Sequence, residues 1–172
     1  MDRRVKKTKT AIKQALITLL KQTKFDEITV TKLTQIADVS RKTFYDHYTD
    51  KYELIDELSA EYLQELNEVS HGPKDISTKE RLVLWLSYIK EHQTIFQQLI
   101  VNDSSYLFQD KFLKYLDNSL KHNSKIKEDN TNYAFLSYGI LGVVEGFVAG
   151  RIQDSPAVVA QKINALTDGK LG

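Results

Sequence analysis

The 172-residue sequence has no cysteine, only two prolines and only seven glycines. The absence of cysteine excludes a disulfide-stapled fold, a thiol nucleophile and a cysteine-ligated zinc site, and it fits a reducing cytoplasm. The scarcity of proline and glycine favours long helices over a succession of turns. Hydrophobic residues make up 41% of the chain, which is enough to bury a core and argues against wholesale disorder.

The sequence also lacks a segment typical of a secretory signal or a membrane span. Residues 11–20 are interrupted by Lys13 and Gln14, which makes them a poor signal core. Residues 133–152 are the most apolar stretch, but Glu145 and four glycines lie within it. We therefore expect this stretch to be a buried helix of a cytoplasmic protein that does not enter a membrane.

The formal net charge of +1 conceals an uneven distribution of charge. Residues 1–50 carry 11 Lys/Arg against six Asp/Glu, a charge of +5, whereas the remaining 13 Lys/Arg meet 17 Asp/Glu, a charge of −4. A basic end favours a polyanion partner for the first third of the chain, and an uneven solvated surface is the alternative. Residues 2–9 have no apolar period and predict either a basic arm that touches DNA or a frayed terminus.

Two short helices are expected early in the chain. Thr29 is a good N-cap for a helix that begins at Val30, and Ser40 is an N-cap for a helix from Arg41 to about Tyr48. The expected inner face is Val30, Leu33, Ile36 and Ala37 in the first helix, and Phe44 and Tyr48 in the second. The outer face of the second helix carries groups that donate hydrogen bonds to phosphates and base edges, namely Arg41, Lys42, Thr43, Tyr45 and His47.

Apolar residues recur at helical spacing throughout the rest of the chain, and no strand is convincing. A first helix over about 6–22 carries the stripe Ile12, Ala15, Leu16, Leu19 and Leu20, and Phe25 and Ile28 close its small core. Further helices are expected over 51–69 and about 78–91, 94–101, 106–122, 132–153 and 157–167. The sequence thus predicts an all-α fold of nine helices. A helix-turn-helix domain spans 1–50, a connecting helix 51–69, and a helical dimerisation and ligand-binding domain 70–172.

The stretch from Thr29 to Lys51 resembles the N-terminal DNA-binding domain of TetR/AcrR-type (tetracycline-repressor-like) transcriptional regulators. The matching positions are Thr29, Ile36-Ala37, Val39-Ser40, Thr43-Phe44-Tyr45, His47-Tyr48 and Asp50-Lys51 with Leu54. One departure is Asp38, where the family usually has glycine, but aspartate tolerates unusual turn conformations better than most residues. The body of the chain resembles the family only in kind.

This resemblance implies a role in DNA binding for several residues. Residues Arg41 to His47 would lie on the recognition helix, Thr31 would reach a base, and Lys51 would hold a phosphate. The complete predicted DNA-binding set is Thr29, Thr31, Ser40, Arg41, Lys42, Thr43, Tyr45, His47, Tyr48 and Lys51. The resemblance also implies that the last two helices form a four-helix dimer interface.

Three glycines recur every four residues in the late apolar helix. Glycine inside a helix costs about 1 kcal/mol relative to alanine, and close helix–helix approach would offset that cost. We expect intersubunit packing, with packing inside the chain as the alternative. The predicted dimer interface comprises Gly142, Gly146, Gly150, Val159 and Ile163.

Aromatic side chains are plentiful in the C-terminal half and suit either a core or an apolar effector pocket. The predicted pocket residues are Trp85, Tyr88, Phe108, Phe112 and Tyr138. His92 and His122 lack nearby carboxylates at metal-ligand spacing. We therefore expect no metal site and no cofactor.

The sequence predicts a dimeric repressor that binds a near-palindromic operator in double-stranded DNA and is released by a small apolar effector. The alternative is a regulator or adaptor whose helical body binds a protein partner instead of a small molecule. An enzyme is not expected, because the sequence has no nucleophile elbow, phosphate-binding loop or HExxH motif.

Overall fold

The computed structural model describes residues 3–71, 76–101, 106–121 and 129–167, and every regular element within these ranges is helical. The helices are α1 (Arg3–Leu20), α2 (Val30–Ala37), α3 (Arg41–Tyr45), α4 (Lys51–His71), α5 (Thr78–Glu91), α6 (Gln93–Ile100), α7 (Tyr106–Lys121), α8 (Asn130–Val148) and α9 (Pro156–Thr167), with one 3-10 turn at Phe25–Glu27. The predicted all-α class is confirmed. The chain forms two compact units, residues 1–61 and 62–172, and the division falls inside α4.

The core of the first unit is built from α1, α2, α3 and the start of α4. The predicted stripe of α1 is buried, and Phe25 and Ile28 close the core beside it. The side chains of Leu33, Phe44 and Leu54 are fully buried among them. Each of these helices presents one apolar face, so the unit buries a continuous centre in spite of its short elements.

The predicted inner face of α2 is wrong at one position. Ile36 is 47% exposed, whereas Thr34 is only 5% exposed. At 100° per residue, Val30, Leu33, Thr34 and Ala37 share one face, and position 36 lies about 110° from its centre. The buried hydroxyl of Thr34 is satisfied because it donates to the carbonyl of Thr31 at 3.1 Å.

The basic N-terminal segment is neither an extended arm nor a frayed end in the described residues. Arg3 to Lys9 form the first two turns of α1, which begins three residues before the predicted start at Lys6. The basic side chains of this segment are therefore displayed at helical spacing. Asp2 lies outside the described residues.

The second half of α4 and helices α5 to α9 form the second unit, in which α9 packs along α5 and α8 packs against α6 and α7. The predicted capping box at the start of α5 is confirmed, since the Glu80 carboxylate accepts from the Ser77 N–H at 2.7 Å and the Glu80 N–H donates to Ser77 Oγ at 3.2 Å. The predicted stop at 72–73, the turn at 102–104 and most of the loop at 122–130 lie outside the described residues. No described helix is long and apolar enough to cross a membrane.

Of the three regularly spaced glycines, Gly142 and Gly146 lie in α8 and Gly150 follows it, and each has a different environment. Gly142 is exposed, and a Cβ placed there would meet no atom within 4 Å. Gly146 is buried, and its Cβ would lie 3.1 Å from Cδ1 of Ile152 in the same chain. Gly150 follows the helix end at Val148 with φ +76°, the left-handed conformation that commonly ends helices at glycine.

The turn between α2 and α3 offers a test of the fold. Asp38 adopts the left-handed conformation (φ 52°), whereas Asp46 after α3 is right-handed (φ −69°). Asp38→Gly should raise the free energy of unfolding by about 0.5–1 kcal/mol, because glycine occupies this region without strain. Asp46→Gly should lower it by a similar amount, since there glycine only adds entropy to the unfolded chain. Urea denaturation at fixed protein concentration measures both, and shifts of the same sign would contradict the assignment.

Candidate nucleic-acid interface

Side-chain caps fix the starts of α2 and α3, the two helices of the predicted helix-turn-helix. We call these two helices the reader. Thr29 Oγ1 accepts from the backbone N–H of Lys32 at 3.2 Å. Ser40 Oγ accepts from the N–H of Thr43 at 3.0 Å and lies 2.9 Å from the Thr43 hydroxyl. Each cap occupies an N–H that the first turn of a helix would otherwise leave unpaired. The predicted caps at Thr29 and Ser40 are thus confirmed, and their hydroxyls help to define the reader's geometry.

The two faces of α3 differ sharply. Arg41, Lys42 and Tyr45 are exposed, and Thr43 is half-buried, as is His47 just beyond the helix. The ring of Tyr45 meets the buried ring of Phe44 edge-on, with centroids 5.5 Å apart and an interplanar angle of 90°. The predicted outer face therefore combines two cations, an oriented phenol and further hydrogen-bonding groups, which suits contact with phosphates and base edges.

Tyr48 belongs to the core and not to the exposed face. It is 1% exposed, its ring lies 5.7 Å from that of Phe44, and the ammonium of Lys9 is 4.9 Å above the ring. Burial, together with the negative charge of Glu57, raises the pKa of Tyr48 above its usual value. The inclusion of Tyr48 among the DNA-binding residues is corrected accordingly, since a buried ring supports α3 from behind.

Lys51 has a use that the sequence did not suggest. Its ammonium donates to the carbonyls of Phe25 (3.1 Å), Asp26 (2.9 Å) and Ile28 (2.9 Å) around the 3-10 turn. It also lies 4.8 Å from the centroid of the Phe25 ring. An ammonium has three donors, so these carbonyls occupy all of them. The predicted phosphate contact at Lys51 has no donor left to make it in this arrangement.

Two exposed residues of α2 complete the surface beside α3. Thr31 is exposed, as predicted. Lys32 is exposed next to it and is absent from the predicted set, because the apolar pattern identified only the inner face of α2.

The predicted dimer residues on α9 are buried within the chain. Val159 is 2% and Ile163 is 3% exposed, since α9 packs against α5 along this face. Gly146 is likewise packed against Ile152, and Gly150 ends α8. Of the predicted set, Gly142 alone lies on an open helix face.

Other apolar residues are exposed on the same two helices. Phe135 and Tyr138 of α8 are 69% and 65% exposed, and Leu166 of α9 is 64% exposed. Gly139 and Gly142 are exposed on α8 with nothing within 4 Å of their Cβ positions. We use the name α8–α9 apolar surface for five exposed residues of these two helices, namely Phe135, Tyr138, Gly139 and Gly142 of α8 and Leu166 of α9. Exposed aromatic rings beside small residues are typical of a face that another helix covers.

The predicted effector pocket is a packed aromatic cluster in part and a solvent-facing surface in part. The rings of Trp85 and Phe108 each stack on that of Phe112, with centroids 5.9 and 5.8 Å apart, and all three are buried. Tyr88 donates to Glu65 at 2.5 Å, and burial followed by this bond raises its pKa. Tyr138 is exposed and cannot line a pocket with them.

An open hollow of about 370 Å³ lies elsewhere in the second unit, lined by Lys121, Asp129, Asn130 and Tyr133. None of the predicted pocket residues lines it. Among the described residues, no group of His, Asp and Glu could hold a metal ion.

Comparison with known proteins agrees with this description. Residues 77–169 match the family model TetR_C_8, described as a transcriptional regulator C-terminal region. A TetR transcriptional regulator from Streptococcus agalactiae 2603V is 26% identical and superposes with a TM-score of 0.77 over 97% of each chain.

Two curated relatives are also transcriptional regulators. DhaS of Lactococcus lactis, an HTH-type activator of the dhaKLM operon, is 25% identical over 73% of this chain and 65% of its own length. YxbF of Bacillus subtilis, an uncharacterised HTH-type regulator, is 33% identical over 46% of this chain and 22% of its own. The chain thus spans less than two thirds of each of these two relatives. The matched region 77–169 is more than half of the sequence, and the chain belongs to the TetR/AcrR-type family of transcriptional regulators.

Proposed function

We propose that this regulator binds a near-palindromic operator in double-stranded DNA as a homodimer in the cytoplasm, and that it represses transcription there. The observation that carries the proposal is the two-faced α3. A cap at Ser40 and the buried Phe44 hold this helix, while Arg41, Lys42 and Tyr45 face outward. A short helix with basic and hydrogen-bonding side chains on its outer face and a buried inner face is suited to the major groove.

The proposed contacts divide by chemistry. Arg41 and Lys42 provide charge at the start of α3, and Tyr45 provides a phenol that the ring of Phe44 orients. Thr43 and His47 add hydrogen-bonding groups, and Thr31 with Lys32 would contact the backbone or a base edge from α2. Phosphate contacts supply most of the affinity, whereas contacts with base edges supply the sequence preference.

A second copy of the chain is the proposed occupant of the α8–α9 apolar surface. The surface combines two exposed aromatic rings with two glycines, so a helix from a twin can approach closely. Two-fold symmetry would repeat α3 on the DNA at half-sites about one helical turn, or a multiple of it, apart.

The sign of regulation has a second candidate. The relative DhaS is described as an operon activator. Activation by this chain is therefore the alternative to repression. A protein partner that binds the helical body, in place of a small molecule, is a separate alternative. An effector at the predicted aromatic pocket is not part of the proposal. Three of the pocket side chains stack on one another, that of Tyr88 is bonded to Glu65, and that of Tyr138 is exposed.

Substitutions on α3 test the DNA-binding face. The purified protein should select a common, near-palindromic motif from random duplexes. Arg41→Ala and Tyr45→Ala should each weaken binding to the selected duplex by about 5-fold to 150-fold, which corresponds to about 1–3 kcal/mol, and weaken binding to scrambled DNA less. Lys79→Ala, which removes an exposed charge from α5, serves as the control. Fluorescence anisotropy titrations would refute the face if both α3 variants bound the selected duplex like wild type.

A comparison of two lysines tests the role of Lys51. Lys51→Ala should lower the free energy of unfolding by about 1–3 kcal/mol, because three carbonyls lose a charged donor. The slope of log K against log salt should stay unchanged for the folded variant. Lys32→Ala should leave the free energy of unfolding unchanged. It should reduce the magnitude of the salt slope by about 0.9 if the Lys32 side chain contacts one phosphate. If the slope of log K against log salt fell in Lys51→Ala, the predicted contact between Lys51 and a phosphate would be supported instead.

Charged substitutions test the proposed dimer. Phe135→Glu and Tyr138→Glu should each convert the dimer into a monomer at micromolar concentration, because a carboxylate would be buried without a partner. Leu84→Glu is the matched control, since Leu84 of α5 is 41% exposed and lies outside the α8–α9 apolar surface. Sedimentation velocity would contradict the proposal if wild type were monomeric or if all three variants remained dimers.

A further inference from the structure

A cluster of ion pairs joins α1 to the first half of α4 within the first unit. The ammonium of Lys9 lies 2.7 Å from Glu57 Oε2, and that of Lys13 lies 2.6 Å from Glu57 Oε1. Lys13 also pairs with Glu61. Glu57 therefore accepts one cation on each carboxylate oxygen. We call these four residues the α1–α4 ion-pair cluster.

The cluster is partly withdrawn from solvent. The side chains of Lys13 and Lys9 are 14% and 23% exposed, and that of Glu57 is 34% exposed. Partial burial opposes ionisation of Glu57, but the hydrogen bonds from Lys13 and Lys9 outweigh it and lower the pKa of this carboxyl. Burial likewise opposes the charge of Lys13, and the bonds to Glu57 and Glu61 outweigh it and raise its pKa. Glu57 and Lys13 are therefore both charged near neutral pH.

Lys9 connects the cluster to the support of α3. While it is bonded to Glu57, its ammonium lies 4.9 Å from the centroid of the Tyr48 ring. Tyr48 in turn packs on Phe44, which is the buried residue of α3. A cation over an aromatic face is attracted to it, and Glu57 fixes where that cation lies.

We propose that Glu57 is a positioning residue for DNA reading, which holds Lys9 against Tyr48 and so fixes the orientation of α3. The proposal rests on the proposed DNA-binding function. It assigns two lysines of the basic end to internal support and leaves phosphate contact to other cations. Glu57 would act through Lys9 and Tyr48 without touching DNA.

The direction in which Glu57→Gln changes the affinity for DNA separates this positioning role from a purely electrostatic effect of Glu57. Removing a negative charge from a DNA-binding protein ordinarily strengthens its binding to DNA, and it would do so more if Lys9 and Lys13 were released to contact phosphates. If Glu57 positions α3, Glu57→Gln should instead weaken binding to the selected duplex. The two roles thus predict opposite changes in affinity.

The test is a titration of the full-length protein with the duplex it selects from random DNA, over a range of salt concentrations. Glu57→Gln should weaken binding about threefold to tenfold, the size expected for partly exposed ion pairs, and leave the salt slope unchanged. Lys9→Met should weaken binding similarly, and the double variant should be no weaker than either single one. Asp26→Asn is the control, because it removes the same charge from the same unit at an exposed carboxylate.

Stronger or unchanged binding by Glu57→Gln, relative to Asp26→Asn, would overturn the proposal. So would a lower salt slope in Lys9→Met, because that result would assign Lys9 to a phosphate. Hydrogen exchange without DNA provides the second readout, and Glu57→Gln should speed exchange of the amides of residues 41–48. If wild type selects no motif, the proposed function fails, while unchanged exchange at 41–48 would still overturn the role of Glu57 by itself.

Discussion

The burial of Phe44 and Tyr48 is the constraint on which the reader depends. Helix α3 has five residues, far fewer than an isolated helix needs to persist in water. Burying an aromatic side chain contributes about 1.5–3 kcal/mol, whereas a cap such as Ser40 contributes about 1 kcal/mol. Packing from behind therefore holds α3, and the cap sets where it begins. Because the inner face alone secures the helix, the outer residues Arg41 and Tyr45 are free for recognition.

Four cations of the first unit fall into two groups. Lys9 and Lys51 turn inward, one toward Glu57 and the Tyr48 ring, the other toward the carbonyls of the 3-10 turn. Arg41 and Lys42 turn outward on α3. Because Lys9 and Lys13 are both paired with Glu57, the formal charge of +5 on residues 1–50 overstates the charge offered to DNA. The number of lysines in a basic segment does not show how many can contact DNA. Only the partners of each lysine show whether it stabilises the fold or faces outward.

Local patterns could be predicted from the sequence, and tertiary partners could not. The caps at Thr29 and Ser40 are confirmed because capping depends on residues three positions apart. Ile36 was predicted to face inward and is exposed, whereas Val159 and Ile163 were predicted to lie at a dimer interface and are buried within the chain, because burial depends on which neighbour faces each helix. Val159 and Ile163 have the spacing of a dimer stripe, yet α5 covers them within the chain. The glycine spacing in α8 was equally ambiguous, since it joins an open position, a packed one and a helix end. The DNA contacts themselves remain predictions.

Hydrogen exchange of the wild-type protein, with and without double-stranded DNA, tests the central claim most directly. The claim is that the outer face of α3, held by Phe44 and Tyr48, meets the DNA. Saturating DNA should slow amide exchange across residues 29–48, because contact with DNA suppresses local opening of α2 and α3. Unchanged exchange there, with protection confined to residues 62–172, would contradict the account.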